Sequence, residues 1–218
     1  TKARDAFSDA IDLDPKYAKA HRALGDLYRI TKKNSQAIRS YGKAIESDPG
    51  CKDKRNIYAY ISLSKVYTTT KQAGKAVATL KKAVTVSPKK SKAKVYIALG
   101  FAHSQRKHFK SAVSSFTQAL KFGGRNAEAQ YRLASAHFEL KNYQNALNAA
   151  RKATGSSKFR VPAHVIIGDV YDAWRPDGWK EKAIENYKKG LNDRRNKKYC
   201  EDKIERIINP MGEEVEGE

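Results

Sequence analysis

The chain has 218 residues, 40% of them hydrophobic, and its 44 Lys and Arg against 23 Asp and Glu leave a formal charge of +21. No window approaches the roughly 20 uncharged apolar residues of a membrane-spanning helix, and residues 1 to 17 lack the apolar centre of a secretory signal. The only two cysteines, Cys51 and Cys200, stand far apart with no Cys-x-x-Cys or nearby His pattern, which argues for a reducing, intracellular setting, the cytoplasm first, and against a disulfide framework.

A period of 34 residues runs through most of the sequence. Ala3, Phe7, Ala10 and Pro15 each lie 34 before Ala37, Tyr41, Ala44 and Pro49, so residues 1–17 read as the second helix of a pair whose first helix is missing. The chain is therefore expected to be a segment of a longer one, and that uncapped helix to be open to self-association. Residues 18–51 make a complete pair: Leu24, Gly25 and Tyr28 on one helix, Ala37, Tyr41 and Ala44 on the next, and Pro49 at the close. Gly25 and Ala37 are small where two helices cross closely, and Leu24, Tyr28, Tyr41 and Ile45 give each helix an apolar stripe. One pair cannot bury both stripes, so neighbouring pairs have to stack.

The run KDKRN at 52–56 interrupts the period and should lengthen a loop or the helix after it. Residues 57–90 resume with Leu63, Ser64, Tyr67, Ala76, Leu80 and Ala83, and 93–126 follow with Leu99, Gly100, His103, Ala112, Phe116 and Ala119, ending in Gly123-Gly124 as a helix stop. Residues 127–160 place Leu133, Ala134, His137, Ala146 and Ala150, and 161–194 place Ile167, Gly168, Tyr171, Ala183 and Tyr187. In this last pair RPDGW widens the turn between the helices, with Trp174 and Trp179 flanking it. A helix predicted over 197–208 would cap the array, and 209–218 have the composition of an acidic disordered tail.

The sequence of small, apolar and aromatic slots, L-G-x-x-Y then A-x-x-x-F then P, resembles the tetratricopeptide repeat (TPR) family, with about five full repeats over 1–208 behind the leading half repeat. The resemblance implies an all-α fold, a right-handed superhelical solenoid of helix pairs with a capping helix. It also implies a protein-binding scaffold, part of a multiprotein complex, in which the first helix of each pair lines a groove. The groove-facing positions would be Lys19, Arg22, Asp26 and Arg29, then Tyr58, Ile61, Ser62 and Lys65, then Lys94, Ile97, Ala98 and Phe101, then Tyr131, Arg132, Ser135 and Phe138, and finally Val165, Asp169 and Asp172. Such a groove is basic at its start, apolar and aromatic in the middle and acidic at its end, suited to a peptide or helix whose acidic portion lies toward Arg22. Chaperone-tail binding, known in the family, fits poorly because Asp26 stands in the carboxylate clamp.

The remaining base falls on second helices and turns, where Lys81, Lys82, Lys89, Lys90, Lys188, Lys189, Arg194 and Arg195 offer a field for RNA or another polyanion. An RNA-binding module using this convex surface is the alternative function. No nucleophile, base or metal constellation emerges, so the chain is expected to be non-enzymatic and without a cofactor. His103 and His137 share one slot in successive repeats, but two imidazoles fall short of a zinc site and read as core residues.

Overall fold

The computed structural model describes residues 2–210 and contains twelve α-helices, with no strand among the described residues. They divide into two compact units, Thr1–Gly124 and Arg125–Glu218. The first holds α1 (Lys2–Leu13), the pair α2 (Ala18–Ile30) and α3 (Asn34–Ser47), the pair α4 (Ile57–Thr69) and α5 (Ala73–Val86), and the pair α6 (Lys89–Gln105) and α7 (Phe109–Gly123). The second holds α8 (Ala127–Glu139) with α9 (Tyr143–Ala153), α10 (Ser157–Trp174) with α11 (Trp179–Gly190), and α12 (Lys197–Ile208). Residues 211–218, most of the tail read as disordered, lie outside the described residues.

Each of three pairs is closed by a ring from its second helix. A Cβ placed on Gly25 would meet the Tyr41 ring at 2.6 Å, on Gly100 the Phe116 ring at 2.5 Å, and on Gly168 the Tyr187 ring at 2.7 Å. The glycine is thus required by an aromatic side chain of the partner helix, which sharpens the general argument that the helices approach closely. The two tyrosines carry their hydroxyls to the residue after the glycine: Tyr41 donates to Asp26 at 2.7 Å and Tyr187 to Asp169 at 2.8 Å. Phe116 has no hydroxyl, and the residue after Gly100 is Phe101.

The turns inside the pairs share one device. Lys32, Lys71, Lys107 and Lys141 adopt φ between 57° and 59°, in the left-handed region. Each lets the next backbone N–H reach the carbonyl five residues back: Lys33 to Tyr28, Gln72 to Tyr67, His108 to His103 and Asn142 to His137, at 2.7–3.0 Å. This satisfies carbonyls that the helix end leaves without partners. The widened RPDGW turn uses two such residues, Arg175 and Gly178.

Two first helices begin earlier than the repeat boundaries suggest. The helix after Pro88 starts at Lys89, and α10 starts at Ser157 with Pro162 inside it. Pro88 marks the first, since its ring and missing N–H bar a preceding helical turn and leave it at the N-cap of α6. The insertion 52–56 lies wholly in the α3–α4 loop, and it is built rather than slack. Asp48 accepts from the backbone N–H groups of Lys52 and Asp53, while buried Asn56 donates to the carbonyls of Ala44 and Asp48. Buried Cys51 sits there with φ 51°, and its thiol is pushed up to about 11 by burial first, then by Asp48 and Asp53.

The cores follow the stacking. Ile57, Leu80 and Val95 fill the space among α4, α5 and α6, Tyr41 and Leu63 that between α3 and α4. In the second unit Ala150, Val165, Val170 and Tyr187 form a core that Cys200 and Ile207 of α12 join. On α1 no residue is buried, and among the described residues Leu13 is the most open of the large apolar side chains.

The glycine–ring contact yields a double-mutant test. Gly100→Ala should destabilise the chain by about 1–3 kcal/mol, and by at least about 0.5 kcal/mol less in a Phe116→Leu background, because the smaller side chain frees the space. Equilibrium urea unfolding of the four proteins measures this, and strictly additive losses would contradict it.

Candidate functional site: the first-helix face

Within the first unit α2 packs on α4 and α4 on α6, and within the second α8 packs on α10. First helices therefore share one face of each unit. The positions named from the sequence do not all reach that face. Ile61 and Ile97 are only 7% and 8% exposed, and Ile61 belongs to the α4–α6 core. They fill the space closed by the packing of neighbouring first helices, so the apolar middle of the expected groove is core at these two positions. Phe101 is half-buried.

What remains in the first unit is basic and aromatic. Lys19 and Lys65 are exposed. Arg22 donates to the Arg55 carbonyl of the insertion loop at 3.0 Å, and Arg29 donates to the Tyr41 hydroxyl at 3.2 Å. Tyr58, 37% exposed, accepts from Lys94 Nζ at 3.0 Å, and that ammonium lies 5.2 Å from the ring centroid. Asp26 is the sole acid on α2, α4 and α6, and it is engaged by the Tyr41 hydroxyl and by Arg29 at 3.8 Å. Burial above all, with the Asp26 hydrogen bond next, pushes the Tyr41 phenol up to about 12.

The face of the second unit is largely self-satisfied. Tyr131 packs on Phe159 at 5.5 Å, Arg132 pairs with Glu128 at 2.9 Å, and Phe138 meets Tyr143 at 6.2 Å. Val165 is buried in the core. Asp169 accepts from Tyr187 and, at 2.6 Å, from Tyr199 of α12, and buried Asp172 pairs with Lys203 at 2.9 Å and with Arg206. Burial raises the Asp169 carboxyl against the lowering effect of the two hydroxyls and Lys203. The acidic end of the expected groove is therefore covered by the capping helix, whose length and apolar spacing were visible in the sequence while its basic side's target was not.

Of the second-helix and turn cations, Lys81, Lys82, Lys89, Lys90, Lys188 and Arg194 are exposed. Lys189 is tied to Glu185 at 2.6 Å and Arg195 to Asp193 at 2.7 Å. Two further features take their form only in three dimensions. Trp174 stacks on Tyr143 at 6.3 Å while Arg175 lies 5.0 Å from the Trp179 ring centre, so the widened turn is locally packed. A cleft of about 330 Å³ opens between α3 and α5 over Leu63 and Tyr67, beside Gly42, where a Cβ would meet nothing within 4 Å. Among the described residues no group of three or more His, Cys, Asp or Glu side chains could hold a metal ion, and no helix is long and apolar enough to cross a membrane.

Comparison with known proteins agrees with this architecture. A family profile described as tetratricopeptide repeat matches residues 1–52 and 97–159, and a second of the same description matches 57–90. The chain belongs to the tetratricopeptide repeat family. Its all-α helical solenoid is that of a family of protein-interaction scaffolds. A search of curated proteins finds no sequence match. Among solved structures, MamA superposes with a TM-score of 0.67 at 24% identity, over 84% of this chain and 94% of that one. YrrB, described as a TPR protein with an unusual peptide-binding site, gives 0.69 at 18% identity, over 91% and 97%. PilF of Pseudomonas aeruginosa gives 0.73 at 16% identity, over 92% and 96%. At these identities the likeness concerns the fold.

The slot shared by His103 and His137 carries a pH dependence. The Nδ1 atom of each is buried without a hydrogen-bond partner. Burial lowers both imidazoles, and for His103 the neighbouring His108, Lys81 and Arg106 add to it. A folded-state value below the unfolded one means that the fold favours neutral rings. Their contribution to stability is complete above the ordinary value of 6.5 and lost as pH falls below it. The melting temperature should drop between about pH 7 and 5, and the drop should shrink in His103→Gln/His137→Gln; an equal drop in that variant would remove these residues as its cause. Separately, Asp172→Ala should remove the carboxylate that Lys203 and Arg206 share. Hydrogen exchange along α12 should then quicken about tenfold or more, and unchanged protection of α12 would show that the ion pairs do not hold the helix.

Proposed function

We propose that this chain is a non-catalytic scaffold that holds an extended or helical segment of a partner protein on the first-helix face of its first unit, as one component of a multiprotein assembly. The observation that carries the reading is the charge state of that face. Lys19, Lys65 and Lys94 stand on it with Arg22, while its one carboxylate, Asp26, is engaged from inside. A partner segment bearing acidic residues would neutralise these cations, and its apolar side chains would meet Tyr58 and Phe101. The unusual peptide-binding site of YrrB belongs to that protein, and supports the reading only as an example of what this architecture accommodates.

Binding of a fluorescein-labelled peptide with alternating Glu and Leu, followed by anisotropy, tests this reading. Lys65→Glu/Lys94→Glu should weaken it about tenfold or more, and Tyr58→Ala should weaken it further. Lys81→Glu/Lys82→Glu on α5 should leave it within about threefold, since rim charges affect rates more than affinity. The opposite ranking would overturn the proposal in favour of a polyanion on the second helices.

A further inference from the structure

Between Asp53 and Glu128 the sequence contains no acidic residue, while residues 54–124 carry 15 Lys and Arg. None of these 15 takes part in an ion pair among the described residues, where the pairs all involve positions elsewhere. Like charges held together without counter-charges destabilise a fold, and an external anion relieves them. On one edge of this region the cations meet flat aromatic surface. Lys89, Lys92 and Tyr96 recur at i, i+3 and i+7 and so share a face of α6. The Phe122 ring, from the end of α7, lies parallel to Tyr96 within 8° at 5.7 Å, and Lys92 Nζ stands 5.3 Å from the Phe122 centroid. Tyr96 is anchored against the α4–α6 core, yet Phe122 remains 39% exposed. The result is a stacked aromatic pair flanked by ammonium groups without carboxylate partners, one of them, Lys92, over the Phe122 ring.

We propose that this edge, where α6 begins and α7 ends, is a binding site for single-stranded nucleic acid, with phosphates on Lys89, Lys90 and Lys92 and a base on the ring of Phe122. The platform selects this ligand over an acidic polypeptide. Carboxylates need only the cations, whereas an exposed ring held parallel to a second ring offers the π surface on which unpaired bases stack. In a duplex that base face is already stacked away, so the strand has to be single. The site is distinct from the first-helix face and does not depend on the peptide reading.

The full chain is titrated against a fluorescein-labelled oligouridine of about 15 nucleotides at ~0.15 M salt, and in parallel against a poly-glutamate peptide of similar length. Phe122→Leu keeps apolar volume and, by losing the stack on Tyr96, should lower the melting temperature by no more than about 5 °C. It should weaken oligouridine binding about fivefold or more without changing the slope of affinity against salt, because stacking releases no counterions. Lys89→Glu/Lys92→Glu should reduce both affinity and slope. Wild-type affinity in Phe122→Leu overturns the proposal, as does absence of oligouridine binding at that salt. Poly-glutamate binding that weakens equally in Phe122→Leu also overturns it, and would assign the edge to an acidic polypeptide.

Discussion

The fold depends on a ring lying where the facing helix has no Cβ. Gly25 under Tyr41, Gly100 under Phe116 and Gly168 under Tyr187 set the separation of three of the five helix pairs. In the other two the equivalent repeat positions hold Ser64 with Leu80 and Ala134 with Ala150, so a smaller second-helix side chain goes with a larger first-helix residue. The hydroxyl of each buried tyrosine then needs an acceptor, since leaving one unmet costs about 1–3 kcal/mol. Asp26 and Asp169 supply it, one residue past the glycine, and where the ring is phenylalanine the acid is replaced by Phe101. Three positions thus vary together for one steric and one electrostatic reason.

This local rule has a consequence for charge. Three acids on first helices serve hydroxyls or the capping helix: Asp26 serves Tyr41, Asp169 serves Tyr187 and Tyr199, and Asp172 serves Lys203 and Arg206. Asp48 is engaged in bracing the α3–α4 loop. With Asp26 and Asp48 engaged in this way and no acid between Asp53 and Glu128, the α4–α7 stretch of the first unit presents cations without carboxylate partners.

The repeat pattern was legible because it arises from packing that every pair repeats. Small residues, apolar stripes and turn residues each leave a trace at fixed spacing, so the helices and the cap at 197–208 could be placed from sequence. The site was less legible. Helical spacing alone put Ile61 and Ile97 on the open face, but the angle at which neighbouring first helices pack decides whether such a residue is covered, and no periodicity encodes that angle. Asp172 looked free for the same reason, since its partners lie more than thirty residues later on another helix. The parallel stacking of Tyr96 and Phe122 was equally hidden, because it joins the start of one helix to the end of the next. The left-handed lysines were missed because glycine or asparagine is the usual sign of that conformation.

The capping helix shows how one first helix of this chain is met by another helix of opposite charge. Tyr199, Lys203 and Arg206 lie at i, i+4 and i+7 on α12 and meet Asp169 and Asp172 of α10. A basic helical stripe thus sits on an acidic first helix, with one carboxylate buried between two cations. The first unit presents the complementary polarity: α2, α4 and α6 offer Lys19, Arg22, Lys65 and Lys94 and no free acid. On the proposed reading, the same geometry with signs reversed would suit an acidic helix or strand. Discrimination follows from the repulsive side as much as the attractive one, because a basic segment like α12 would meet only like charge there.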